Sequence, residues 1–305
     1  MRRAALTALL WLTAAPAWAH VTGGVPAAEP GWTWDPWITL PLAISLLLFG
    51  AGYWRLNDRS TGGRPALRRR ALLFAAGWLV LALALVSPVH QAGEHSFAAH
   101  MFEHELLMLV AAPMLVMSRP VAVMLWAFPS PGRQTLGGVG RQGWFTAVWR
   151  FFTDPIVATL VQAAALWLWH APRLFDLALA SPGWHAAQHL SFLVSSLFFW
   201  SAMLEHRLGR RGVGLSIMCL FATSVVSGAL GALMAFSQSP WYQGYADLGL
   251  APFGLTPVED QQFAGLLMWI PGGLVHAGAA LALLAQALRL EPRPSQEAAH
   301  AVVQP

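Results

Sequence analysis

Seven apolar runs, each long enough to cross a lipid bilayer, constrain this chain more than any other feature. They lie at about 37–56, 71–88, 98–118, 155–171, 184–204, 213–236 and 261–288. A spanning helix needs about 20 residues to cross about 30 Å of hydrocarbon, and only a structure that bonds its own backbone N–H and C=O groups is viable there. The expected fold class is all-α, a polytopic integral membrane bundle of about seven transmembrane helices. Only 10% of the 305 residues are charged and the mean hydropathy is +0.52, whereas soluble domains carry roughly 25% charge.

The isoelectric point near 10.2 invites a nucleic-acid reading until the basic residues are located. All 18 are arginines, and they sit between the apolar runs, where topology signals belong. Nothing gathers them on one folded face with a reading element, so no nucleic-acid partner is expected. Arg55, Arg59, Arg64, Arg68, Arg69 and Arg70 follow span one; Arg119, Arg133, Arg141 and Arg150 follow span three. Arg207, Arg210 and Arg211 follow span five, and Arg289 and Arg293 follow span seven, while the connections after spans two, four and six hold only Arg173. The positive-inside rule then predicts an outside N-terminus and a cytoplasmic C-terminus in a bacterial inner membrane.

The first 19 residues begin with Arg2-Arg3, pass through a short apolar run and end in Ala17-Trp18-Ala19, the pattern of a signal peptide. Residues 20–36 form an outer N-terminal segment, 37–290 the seven-helix membrane domain and 291–305 a cytoplasmic tail. Cleavage after Ala19 gives His20 a free α-amine beside its imidazole, a possible bidentate chelate for copper. Trp32, Trp34, Trp37, Trp169, Trp184 and Trp241 fit an interfacial aromatic belt. Pro113 and Pro271 fall inside spans three and seven, where kinks are expected. The single cysteine, Cys219, excludes an intrachain disulfide and reads as a small core residue.

Once the topology is set, each histidine acquires a depth. His90, His95, His100, His104, His170, His185 and His189 fall at or near the outer ends of spans two to five, His206 and His300 are cytoplasmic, and His276 lies deeper in span seven. His100 with His104, and His185 with His189, stand four residues apart, so each pair projects two imidazoles from one helical face. His170, closing span four, is placed to join them in one outer-facing site. Met101 and Met108 share a helix with the first pair, and Met268 enters near the outer end of span seven. Imidazole and thioether donors without thiolate suit copper better than a hard cation, although individual methionines most often just fill the core. Glu103 is either an acceptor that orients an imidazole or a plain surface carboxylate. Glu105 is expected to look outward from the first turn of its span. Asp260, ahead of Gln261 and Gln262, is expected either to cap the last helix or to contribute to the outer site.

Several segments together resemble the multi-span CtaG family of cytochrome c oxidase assembly factors. They are His100-Met101 through His104, Leu106-Leu107-Met108, Ala112-Pro113 and Arg119-Pro120; Trp169-His170-Ala171-Pro172 with His185, His189 and Ser191-Phe192; and Asp260-Gln261-Gln262 with Gly265, Met268-Trp269 and Pro271-Gly272-Gly273. The resemblance covers roughly residues 37–290. It implies a factor that matures a haem–copper oxidase at its copper-loading stage, with cytochrome c oxidase subunits and a periplasmic copper donor as partners. It carries over His100, His104, His170, His185 and His189 as metal residues, with Met268 and the segment from Asp260 to Gln262 as matching positions; His90, His95 and His276 are not transferred. His20, Met101 and Glu103 stand as accessory candidates from the residues themselves. Two other readings remain: a single-haem b-type electron carrier, with haem ligated by facing histidines, and a structural oxidase chaperone without metal. No nucleotide loop, hydrolytic serine motif or HExxH pattern is present, so an enzyme is not expected.

Overall fold

The computed structural model describes residues 31–59, 62–204 and 209–289. The expected signal peptide, His20, His206, His300 and the tail from 291 lie outside the described residues. Span one is α1 (Pro36–Arg59) and span two is α2 (Arg64–Val86). A short α3 (Pro88–Ala92) follows, started by Ser87, whose side chain accepts from the Val89 N–H. Span three opens as α4 (Phe97–Glu105), passes through a π-helical stretch, Leu106–Ala111, and closes as α5 (Ala112–Ser118). Then come α6 (Pro120–Met124), α7 (Ser130–Val139), α8 (Gly143–Phe152), α9 (Pro155–Trp169), α10 (Pro172–Ala180) and α11 (Pro182–Leu204). The last spans are α12 (Gly209–Ala235) and, after the single turn α13 (Gln243–Ala246), α14 (Pro257–Arg289). There is no strand among the described residues.

Among the described residues six helices, counting α4 through α5 as one, are long and apolar enough to cross a membrane, or seven spans if the bent pair α8–α9 counts as one. The fourth span is not the single straight helix over 155–171 that the apolar run suggests. At 15 residues, α9 rises about 22 Å, short of the hydrocarbon thickness of about 30 Å. It meets α8 at 65° because Asp154 accepts from the Ile156 and Val157 N–H groups at 3.0 and 3.2 Å. Pro155 then takes the first helical position, so a new helix starts there.

The kink expected at Pro113 takes a particular form. Ahead of the proline the helix widens, with the Ala112 N–H reaching back to the Leu107 carbonyl. In that five-residue pattern the next N–H would satisfy Met108, but Pro113 has none to give. The indole N–H of Trp200, from α11, fills the gap by donating to the Met108 carbonyl at 2.8 Å. Pro271, by contrast, lies inside α14 without breaking it.

Helices α12 and α14 pack backbone to backbone. A Cβ on Gly265 would sit 2.4 Å from the Gly231 carbonyl oxygen, and one on Gly231 would sit 2.7 Å from the Gly265 carbonyl oxygen. Small residues at a crossing are how membrane helices approach closely when water supplies no driving force between them. The adjoining core gathers Phe97, Met101, Met108, Phe175, Phe192, Tyr242 and Met268, while Leu47, Leu160, Phe221 and Leu274 stay exposed, as lipid-facing side chains must. Arg59, Arg64, Arg119 and Arg289 lie at the ends of α1, α2, α5 and α14. Histidines mark the opposite ends of their helices: His90 just beyond the far end of α2, His100 near the start of α4, His170 after α9 and His185 near the start of α11.

Candidate metal centre

Three helix ends converge at the histidine end of the bundle. Helix α4 brings His100, Glu103 and His104; α11 brings His185 and His189; α3 brings His90. Ser96 starts α4 by accepting from the Ala99 N–H. Asp260 of α14 reinforces it, accepting from Ser96 Oγ at 2.8 Å and from the Phe97 and Ala98 N–H groups at 2.6 and 3.4 Å. Asp260 therefore caps a neighbouring helix, and its oxygens are committed there. Gln261 and Gln262 are committed too, holding the 237–241 connection through Ser239, Trp241 and Ser237.

The four paired histidines form one close-packed stack of rings, edge-on or tilted to one another except for the near-parallel pair His100 and His185. Ring centroids stand 4.4 Å apart for His100–His104 and for His185–His189, 5.1 Å for His100–His185 and 4.9 Å for His104–His189. Ring nitrogens of His100, His185 and His189 lie within 4.8 Å of one another, and ligand atoms of His90, Glu103 and His189 form a second such group. The groups share His189. Of these residues, His100, Glu103 and His104 are at most 1% exposed.

Hydrogen bonds decide which nitrogen is free. Tyr245 donates its O–H to the Gly93 carbonyl at 2.5 Å, so its oxygen, 3.2 Å from His100 Nδ1, can only accept from that ring. Burial pushes the Tyr245 phenol well above its usual value, helped by Asp260 and Glu103, and keeps it a donor. His100 thus carries its proton on Nδ1 and turns an Nε2 lone pair inward, the arrangement by which an outer partner readies an imidazole for metal. Buried atoms without hydrogen-bond partners include His100 Nε2, both nitrogens of His104, His185 Nε2, His189 Nε2 and Glu103 Oε2. Leaving so many buried polar atoms open is costly unless something fills the gap. The donor set of imidazoles and one carboxylate fits a transition-metal ion.

His90 joins this centre, which the sequence did not indicate. Its Nδ1 lies 2.8 Å from Glu103 Oε1 and its ring stacks 5.3 Å from His185. Burial works against charging His90, but the hydrogen bond and charge of Glu103, with smaller help from Glu94 and Asp35, outweigh it and raise the imidazole above its ordinary value. Glu103 is accordingly an interior acceptor, also 3.7 Å from His189 Nδ1.

His170 stands beside the stack and not within it. Its Nδ1 donates to the Leu166 carbonyl at 2.7 Å, its Nε2 faces Met101 Sδ at 3.2 Å, and its ring neighbours are Phe175 and Phe192. Met101 thereby lies between α4 and His170 as a thioether within reach of an imidazole lone pair. Met268 is deeper, in the wall of a separate cavity. Glu105 does not look outward: its Oε2 is buried and turned to that same cavity. The exposed side of this helix is taken by Phe102, 43% exposed, and Glu105 lies on another side. His95 remains at the margin, against the Gln91 carbonyl.

Set against known proteins, residues 47–290 match the family model described as cytochrome c oxidase caa3 assembly factor (Caa3_CtaG). No curated protein and no solved structure matches the chain.

Proposed function

The chain belongs to the caa3-type family of cytochrome c oxidase assembly factors, and from that premise we propose that it handles copper for the oxidase through the histidine centre. The observation that carries this reading is the meeting of His100, His185 and His189 nitrogens within 4.8 Å, with their Nε2 atoms open. Copper is cargo here, received from a periplasmic donor and released to the maturing oxidase. His100, His185 and His189 hold it; His104, His90 and Glu103 complete the surroundings; His170 with Met101 offers an adjoining soft pair. The arginine bias supports a histidine end that faces outward from a bacterial inner membrane.

The close ring stacking, 4.4–5.7 Å between centroids, favours a bare ion over haem b, since a porphyrin must lie between its axial ligands. The protein purified from membranes is expected to contain copper by elemental analysis and to lack a haem absorption band. A haem spectrum, or metal-free protein that takes up no added copper, overturns the proposal; the second result would leave a metal-free chaperone as the reading. Reporter fusions test the orientation: the arginine-rich segment at 57–70 is expected inside.

A further inference from the structure

Below the histidine centre, a cavity opens between α4 with its π-helical continuation, α9, α12 and α14. It has about 20 Å³ of room for water centres, enough for one or two waters or a bare ion. Glu105, Gln162, Thr223 and His276 line it together with the thioethers of Met108 and Met268. Gln162, Thr223 and His276 are each at least 94% buried. Glu105 Oε2, Gln162 Oε1, Thr223 Oγ1 and a ring nitrogen of His276 have no hydrogen-bond partner. Gly272 borders the carboxylate: a Cβ there would stand 3.7 Å from Glu105 Oε2, in ordinary van der Waals contact.

The wall is rich in lone pairs and contains no Arg or Lys. Carboxyl oxygen, amide oxygen, imidazole nitrogen and thioether sulfur all offer electron pairs, and a carboxyl group in a membrane interior either stays protonated or ionises against a positive charge. Water could satisfy the oxygens, but two sulfurs gain little from water and bind soft cations well. We propose that this cavity is a second metal site, separate from the histidine centre, that takes a soft monovalent ion of the copper(I) class on Met108, Met268 and His276, with Glu105 balancing its charge. The cavity adjoins the histidine centre. Met108 follows His104 on the same span, and Leu166, which lines the cavity, accepts the proton of His170 Nδ1. The identification of copper rests on the function proposed above; the existence of the site does not.

Silver(I), a redox-inert stand-in, is the probe, titrated into the full-length protein purified in detergent and counted by elemental analysis after desalting. The backgrounds are wild type and His185→Ala/His189→Ala. In each, Met108→Leu/Met268→Leu is expected to remove a single equivalent of silver; leucine conserves volume and leaves the helices packed. Glu105→Gln is expected to weaken that equivalent at least about 10-fold, as loss of a supporting charge does. Met268→Leu alone is the second variant if the double leucine aggregates, and is expected to weaken it in the same sense. Infrared spectra supply an independent readout: silver should convert a carboxylic C=O band to carboxylate in the His185→Ala/His189→Ala background and not when Glu105→Gln is added. Equal silver with and without the cavity substitutions, or a carboxylic band indifferent to silver, overturns the site. Silver unchanged by His185→Ala/His189→Ala but lowered by the cavity variants supports the cavity while overturning the histidine centre.

Discussion

The two ends of one short helix, α4, treat their polar groups in opposite ways. At its start, Ser96 and the first N–H groups are closed off by Asp260, three contacts from one carboxylate. One turn on, His100, Glu103 and His104 each keep a buried atom without a partner. Both regions are equally buried, so desolvation is not the difference. A polar group that serves only the fold finds its partner within the chain, because an open buried donor or acceptor costs about 1–3 kcal/mol. Groups left open together, on two helices facing one another, point to something that comes from outside.

That contrast can be broken or sharpened by substitution. The largest effect is expected from His185→Ala/His189→Ala, which should abolish copper retention at the histidine centre and leave the oxidase without copper, while the protein still inserts and elutes as a folded species. Copper content of both proteins, with oxidase activity in membranes, checks it; full copper and full oxidase activity would show that the open atoms serve no metal. Tyr245→Phe comes next. Losing the acceptor that fixes the His100 tautomer should weaken copper about 10–100-fold, as read by competition with a chelator of known affinity, and opening the Gly93 carbonyl should cost about 1–2 kcal/mol of stability.

Asp260→Ala should act chiefly on stability. It removes the cap from α4 and exposes buried donors, at about 2–3 kcal/mol of stability, measured by denaturation in detergent; Asn at this position should recover part of the loss. Trp200→Phe should cost less, about 1–2 kcal/mol, because it opens only the Met108 carbonyl. The smallest effect concerns His90. Its value is raised in the fold above the ordinary 6.5, so its contribution is complete below pH 6.5 and is lost as pH rises through the folded value. In metal-free protein, the gap in Tm between wild type and His90→Gln should therefore be wider below pH 6.5 than well above it.

How much of this was legible beforehand depended on the kind of signal. The spans were readable because lipid demands long apolar runs, and the i, i+4 histidine pairs because helical spacing alone puts both rings on one face. The break between α8 and α9 was written in Asp154-Pro155, a cap followed by a helix-starting proline, yet the continuous apolar run beside it masked the bend. His90 was harder, since it lies on a separate short helix and its approach to Glu103 depends on how Gly93–Ser96 fold the chain back. Asp260 was read as a cap, but for its own helix; which N-terminus a carboxylate reaches is decided by helix packing. Glu105 was misplaced because a charged residue is read onto the outward face, and only the packing of α9, α12 and α14 shows that its side of the helix faces a cavity.

The widened turn at Leu106–Ala111 carries one further consequence. A π-helical turn is in effect a single residue added to an α-helix, and in an ordinary helix one residue is worth about 100° of rotation. The histidine-bearing half of the span and its arginine-bearing end are thus set in phase with each other by that extra residue. Deleting any one residue between 106 and 111 should shorten the span by little. It would also swing His100 and His104 about a third of a circle away from His185 and His189, so copper loading at the histidine centre should fail in a protein that keeps every histidine.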